Sequence, residues 1–376
     1  MKWELFREKL ELLGIRESCA GVPYIVLPSR ENARWLFPVV NRRSFHTGLF
    51  LYAPNTVKGH LYKACLSGIP LFFLKVWHRK RIVCLDFSGA KSYMSGTEDA
   101  PGFYVGNGGS HSKPTVQLQK GGTPVSYMKF TTDPAIEKLF EWEETALKEV
   151  KGIECADVPP VLQHTKFGCA FIFETGSVKK RVGKTDFRFS SAHEGFLLEL
   201  YRLSKRVGGY AGWRDDMEAR LKELPLQDLW MLEWFRKLCS GIDEKSFPMG
   251  RIHGDFTPWN CIVERKRLKV FDWEYSRSNC PVFLDALHFV LQPGYLKRQP
   301  KMKEIRKRIL PLKRYFCETG SERYGLNLML SIYLLSQYMF YLKRSECPAR
   351  GDVILMERWK RTLQEIAEDK SQWKIY

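Results

Sequence analysis

Two short segments hold the side chains with the most chemistry. His253-Gly254-Asp255-Phe256-Thr257-Pro258-Trp259-Asn260 is followed, eleven residues after the asparagine, by Phe271-Asp272-Trp273-Glu274. Asp255 offers a carboxylate able to accept a proton. Asn260 and Asp272 offer the hard oxygens that Mg2+ takes in near-octahedral sites shared with phosphate and water. Such a set could carry the γ-phosphoryl of a nucleotide onto a hydroxyl. Singly, an aspartate after glycine reads as a turn residue and an asparagine before a strand as a cap. In this order and spacing they point to phosphoryl transfer.

The surrounding residues say how the set is positioned. Pro258 forbids a helix interior and biases Thr257 toward extended geometry, so 253–260 reads as a loop. Residues 261–263 and 267–271 read as strands turned through Glu264-Arg265-Lys266, a hairpin that returns Asp272 to the side of Asn260 and Asp255. Upstream, the turn-rich stretch 101–110 leads into an alternating run at 115–119, a Gly121-Gly122 turn and a second run at 125–130, which predicts another hairpin. Asp133-Pro134 then starts a helix, with Ile136, Leu139, Phe140, Glu143, Leu147 and Val150 at helical spacing. Glycine loop, hairpin, Lys129 near the end of the second strand, then a helix carrying glutamates: that order predicts a nucleotide-binding small lobe.

On these residues the chain resembles the aminoglycoside phosphotransferase and choline kinase family, whose fold is similar to that of protein kinases. The strong match is 253–260 with Asp272; a weaker one covers roughly 100–345. The resemblance implies an α+β, two-lobed protein-kinase-like fold, with a small mainly β N-terminal lobe and a larger helical C-terminal lobe. It implies that Asp255 is the catalytic base, that Asn260 and Asp272 hold magnesium, and that His253 braces the loop. Lys129 would contact the α- and β-phosphates of ATP, paired to a glutamate of the next helix; Glu143 fits by position, and Glu144 stays open. Asp285 resembles the family's buried aspartate that braces the catalytic loop. Gly106, Gly108 and Ser110 are candidate nucleotide contacts by position alone, because 102–110 does not spell GxGxxG.

Bulk properties set outer bounds. With 376 residues, 44% hydrophobic, the chain exceeds what one core usually organises. The expected division is an N-terminal extension at 1–95, a small nucleotide-binding lobe and hinge at 96–176, and a helical catalytic and substrate-binding lobe at 177–376. In the extension, residues 4–13 read as a helix and 24–27, 35–39, 48–52 and 71–77 as short β runs; it could complete the small-lobe sheet, shape a substrate entrance or bind a partner. Helices are expected at 193–206, 214–240 (broken near Pro225), 281–292, 300–318, 323–343 and 352–369. Ten cysteines without a CxxC pair read as free thiols in a reducing cytoplasm. The N-terminus lacks a signal-peptide core, and 326–342 is interrupted by polar residues, so no membrane span is expected.

The formal charge of +18 favours anionic partners without choosing among them. Lys297, Arg298, Lys301, Lys303, Arg306, Lys307, Arg308, Lys313 and Arg314 crowd one stretch, and 79–81 and 179–181 add more. These patches suit an anionic substrate or a membrane surface; no reading module for specific nucleic-acid binding accompanies them. A polycationic acceptor is disfavoured, and a sugar or glycan-related hydroxyl compound is expected. The competing readings are a kinase acting on a macromolecular acceptor and an inactive nucleotide-binding regulator. Oligomeric state is not legible.

Overall fold

The computed structural model describes residues 1–54, 57–94, 99–106, 113–178, 186–205, 208–265, 267–344 and 349–369. The chain divides into two units, residues 1–144 with 159–182, and residues 145–158 with 183–376.

The first unit is built on one eight-stranded sheet. Its strands lie in the order Ile82–Asp86, Arg16–Pro28, Ala33–Pro38, Asp99–Tyr104, Thr115–Lys120, Thr123–Thr131, Ala170–Gly176, Val161–Phe167. Every pairing is antiparallel. The central hairpin turns through Gly121 and Gly122, at φ +59° and +78°, which a tight two-residue turn requires and only glycine adopts freely. Residues 1–95 complete this sheet, one of the roles open to them from sequence. Their Trp3, Phe6, Leu10, Tyr24 and Leu36 share one buried core with Val116, Leu118, Met128 and Ile172 of the later strands. The helix Pro134–Glu149 begins where the Asp133 carboxylate accepts from Ala135 N at 2.8 Å.

Two short runs expected as strands are helical. Residues 71–77 form the helix Leu71–Trp77, and 48–52 close the helix Arg42–Gly48 through a 3-10 turn at Leu49–Leu51. A mainly apolar run of this length without strict alternation fits either structure. Start signals decide it: Pro70 precedes the first helix, and the Asn41 side chain caps the second by accepting from Ser44 N at 2.8 Å. A further helix, Val57–Gly68, had no sequence expectation.

The second unit is mainly helical. The strand Met249–Ile252 pairs with Arg277–Pro281, and the hairpin Cys261–Glu264/Arg267–Val270 carries Ala156–Asp157 parallel on its edge. Around them lie helices Ser191–Ser204, Tyr210–Lys222, Trp230–Cys239, Phe283–Lys297, Met302–Ile309, Lys313–Thr319, Gly325–Lys343 and Arg350–Glu368. The break near Pro225 is present. Gly325–Lys343 buries Leu330, Tyr333, Leu334 and Leu335 inside the unit. Among the described residues no helix is long and apolar enough to cross a membrane. None of the nine described cysteines forms a disulfide.

Candidate functional site

The loop after Met249–Ile252 is fixed by one buried carboxylate. Asp285, in the first turn of helix Phe283–Lys297, accepts from His253 N at 2.6 Å and Gly254 N at 3.0 Å. Those bonds favour the ionised carboxylate, yet full burial outweighs them and pushes it up to about 6. Gly254 has φ +87°, and a Cβ there would stand 2.1 Å from the Tyr275 carbonyl oxygen. No other residue passes this point without moving backbone.

His253 ties the loop to the strand end opposite. Its Nδ1 accepts from Asp255 N at 3.3 Å, so Nε2 carries the proton and donates to Phe271 O at 3.2 Å. Burial pulls this imidazole down to about 4, keeping it neutral. Its ring lies 4.6 Å, centroid to centroid, from buried Trp273.

Asp255 is thereby presented with its side chain 30% exposed. Asn260 Nδ2 donates to Asp255 Oδ2 at 2.9 Å and to its backbone oxygen at 3.0 Å. Because a carboxylate can only accept, the amide nitrogen must face it, which leaves Asn260 Oδ1 as the atom available to a cation. The hairpin register pairs Cys261 with Val270, and Phe271 N donates to Asn260 O at 3.2 Å. Asp272 comes one residue later, at φ +73°, a left-handed conformation that Asp tolerates better than most residues and that re-aims the chain as the strand ends.

Sequence reasoning missed His288. Its Nε2 lies 3.2 Å from Asp255 Oδ1, and its Nδ1 lies 3.2 Å from the Tyr333 hydroxyl. With Tyr333 donating, the histidine presents an N–H to the carboxylate. A signal was present: His288 follows Asp285 by three residues, one turn along the same helix face.

In the sheet unit, Lys129 Nζ lies 2.7 Å from Glu143 Oε2, with Glu143 2% exposed. Glu144, left open from sequence, instead meets His164 Nδ1 at 2.7 Å. Gly106 has φ +97°. Gly108 and Ser110 lie outside the described residues, as do 179–181.

Beside the loop, the helical unit has a cavity of about 320 Å3. Gly254, Tyr275 and His288 line it together with Trp213, Asp216 and Arg220. The basic stretch is elsewhere: Lys297, Arg298, Lys307 and Arg308 line a second cavity of about 470 Å3.

Residues 179–283, which span the Asp255 loop and the Asp272 turn, match the family model described as phosphotransferase enzyme family. The chain is a phosphotransferase-like enzyme. Among solved structures it is similar to a thermostable mutant of aminoglycoside phosphotransferase APH(4)-Ia in ternary complex with ADP and hygromycin B. That match has 12% identity and a TM-score of 0.50, covering 74% of this chain and 98% of that one. It is also similar to the GDP complex of wild-type aminoglycoside 2'-phosphotransferase-IIIa, with 10% identity, TM-score 0.49 and coverage of 72% and 96%. An amicoumacin kinase bound to AMP-PNP and Ca2+ follows at 11% identity, TM-score 0.44 and coverage of 70% and 88%. At such identities the likeness is one of fold, the two-lobed kinase-like fold. No curated protein matches the chain.

Proposed function

We propose that the chain is an ATP- and Mg2+-dependent O-phosphotransferase whose acceptor is a small hydroxylated compound, a sugar or glycan-related molecule. The observation that carries the reading is the setting of Asp255: a part-exposed carboxylate held on one oxygen by Asn260 and on the other by His288. Each carboxylate oxygen keeps a lone pair for a substrate hydroxyl. As the acceptor oxygen forms its bond to the γ-phosphorus, the bond to the β-phosphate oxygen breaks, ADP leaves and the hydroxyl proton passes to Asp255.

The donor set suits Mg2+, since Asn260 Oδ1 and the Asp272 carboxylate are hard oxygens on residues that flank one paired hairpin end. When bound there, the ion would neutralise charge on the phosphates. Lys129, oriented by Glu143, supplies a cation for the α- and β-phosphates, with Gly106, Gly108 and Ser110 as further nucleotide contacts. The solved neighbours, whose structures hold ADP, GDP or AMP-PNP, favour a nucleotide as donor. The cavity beside Gly254 mixes Asp216 with Arg220 and has an aromatic wall in Trp213, a lining suited to a neutral polyol rather than a polycation.

The test is ATP turnover with Mg2+ across panels of sugars, amino alcohols and lipid-linked acceptors. Acceptor-dependent ADP release should fall about 10^3-fold in Asp255→Ala while ATP still binds. Asp272→Ala should weaken the apparent Mg2+ affinity by roughly 10–100-fold. Turnover equal to wild type in Asp255→Ala would overturn the reading.

A further inference from the structure

The helices Val57–Gly68 and Leu71–Trp77 expose what most helices bury. Each sinks one large side chain, Leu66 and Leu74, into a small cluster with Ile25, Leu27, Phe37, Val39, Phe45 and Leu49. Leu71 packs half-buried on the same cluster, and seven other large apolar side chains face outward: Val57 is 77% exposed, Leu61 62%, Phe72 70%, Val76 50% and Trp77 67%, with Tyr62 and Phe73 also exposed. Val57 and Leu61, Phe72 and Val76, and Phe73 and Trp77 are each four apart, so both helices carry apolar stripes. The rings of Phe72, Phe73 and Trp77 touch in sequence, at 5.7 and 5.9 Å. Scattered exposed apolar residues are ordinary; three exposed aromatic rings in contact, with four further exposed apolar side chains on the same two helices, mark a binding surface.

Charge identifies what the surface meets. Between Glu31 and Asp86 the sequence has no Asp or Glu, while Lys58, Lys75, Arg79, Lys80 and Arg81 lie within or next to the two helices along the chain, Arg81 also facing Glu31. Aromatic and aliphatic side chains that enter the boundary between headgroups and acyl chains, ringed by cations that meet anionic headgroups, are the elements of an interfacial membrane anchor. Trp77 is the residue type that favours this depth. We infer that residues 57–81 dock the protein on an anionic lipid bilayer without crossing it. This surface is independent of the phosphotransfer site and would act whatever the acceptor is.

The experiment is flotation of the full chain with phosphatidylglycerol vesicles and, separately, with phosphatidylcholine vesicles. Binding to the anionic vesicles should exceed that to the neutral ones by at least about tenfold and fall as salt rises. Phe72→Ser with Trp77→Ser should lower it by about tenfold or more. Lys58→Glu with Lys80→Glu, at exposed positions that leave the fold alone, should lower it by a similar factor and only on anionic vesicles. Equal binding to both vesicle types, or variants that float as wild type does, would overturn the inference. So would a lipid-free dimer that Phe72→Ser with Trp77→Ser disperses, because the stripes would then be a self-association face.

Discussion

The segment 253–274 and the helical pair at 57–77 invert one another. In the first, charged and polar groups are buried and answered: Asp285 takes two backbone N–H groups, His253 uses both ring nitrogens, and Asn260 spends its amide nitrogen on Asp255. In the second, aromatic and aliphatic side chains are exposed over Leu66, Leu74 and the half-buried Leu71. Chemistry requires the first arrangement, because an unanswered buried polar group costs about 1–3 kcal/mol and a loosely held carboxylate cannot be aimed. Folding requires neither the seven exposed apolar groups nor their cations. The Asp255 loop is shaped by the groups buried around it; the helical pair makes sense through something outside the chain.

Substitutions can break or sharpen that contrast. The largest effect is expected at Gly254, where any side chain meets the Tyr275 carbonyl: Gly254→Ala should cost about 2–4 kcal/mol in urea unfolding of the helical unit. An effect of similar size should appear with pH. His193 is buried, 4.5 Å by centroid from Phe289, and desolvation holds it at about 4 against 6.5 for a free imidazole. The unfolded chain therefore binds the proton first. Its contribution is complete above pH 6.5 and shrinks as pH falls toward 4, by about 3 kcal/mol at the limit. Urea midpoints from pH 7 to pH 4.5 should fall less steeply in His193→Gln than in wild type.

Smaller still, His288→Ala should lower kcat about tenfold with little change in the KM for ATP. His288→Gln, which can still donate to Asp255, should recover part of the loss. The smallest effect sharpens the contrast from the other side: Phe72→Ser should change stability by no more than about 0.5 kcal/mol, since that ring is 70% exposed and meets Phe73 edge-on. A loss of several kcal/mol there would mean that the ring belongs to a core.

The two regions also differ in how far the sequence disclosed them. In the catalytic segment, residue type, loop and hairpin were all readable, because Gly254, Pro258 and the two flanking β runs leave few backbone options. The two-lobed fold followed from the family resemblance that the same residues carry. His288 escaped because its partner is 33 positions away and its only local mark is the spacing to Asp285. The choice between Glu143 and Glu144 needed the helix phase in three dimensions, since neighbouring residues differ by only about 100° around a helix. The run 71–77 was misassigned because six apolar residues around Lys75, without alternation, fit a buried strand as well as a helix. An exposed apolar helix also contradicts the assumption that apolar faces point inward, so burial arguments could not correct the assignment.

The chain of groups behind Asp255 ends quickly. His288 leads to Tyr333, which is fully buried and whose hydroxyl, desolvated there, is pushed well above the ordinary tyrosine value. In the mechanism we propose, a proton arriving at Asp255 has no outlet along that line. It must depart through the open side of the carboxylate, to water or to the leaving product, so each round of transfer resets only once that side is clear. Emptying the site and restoring the base would then be one event.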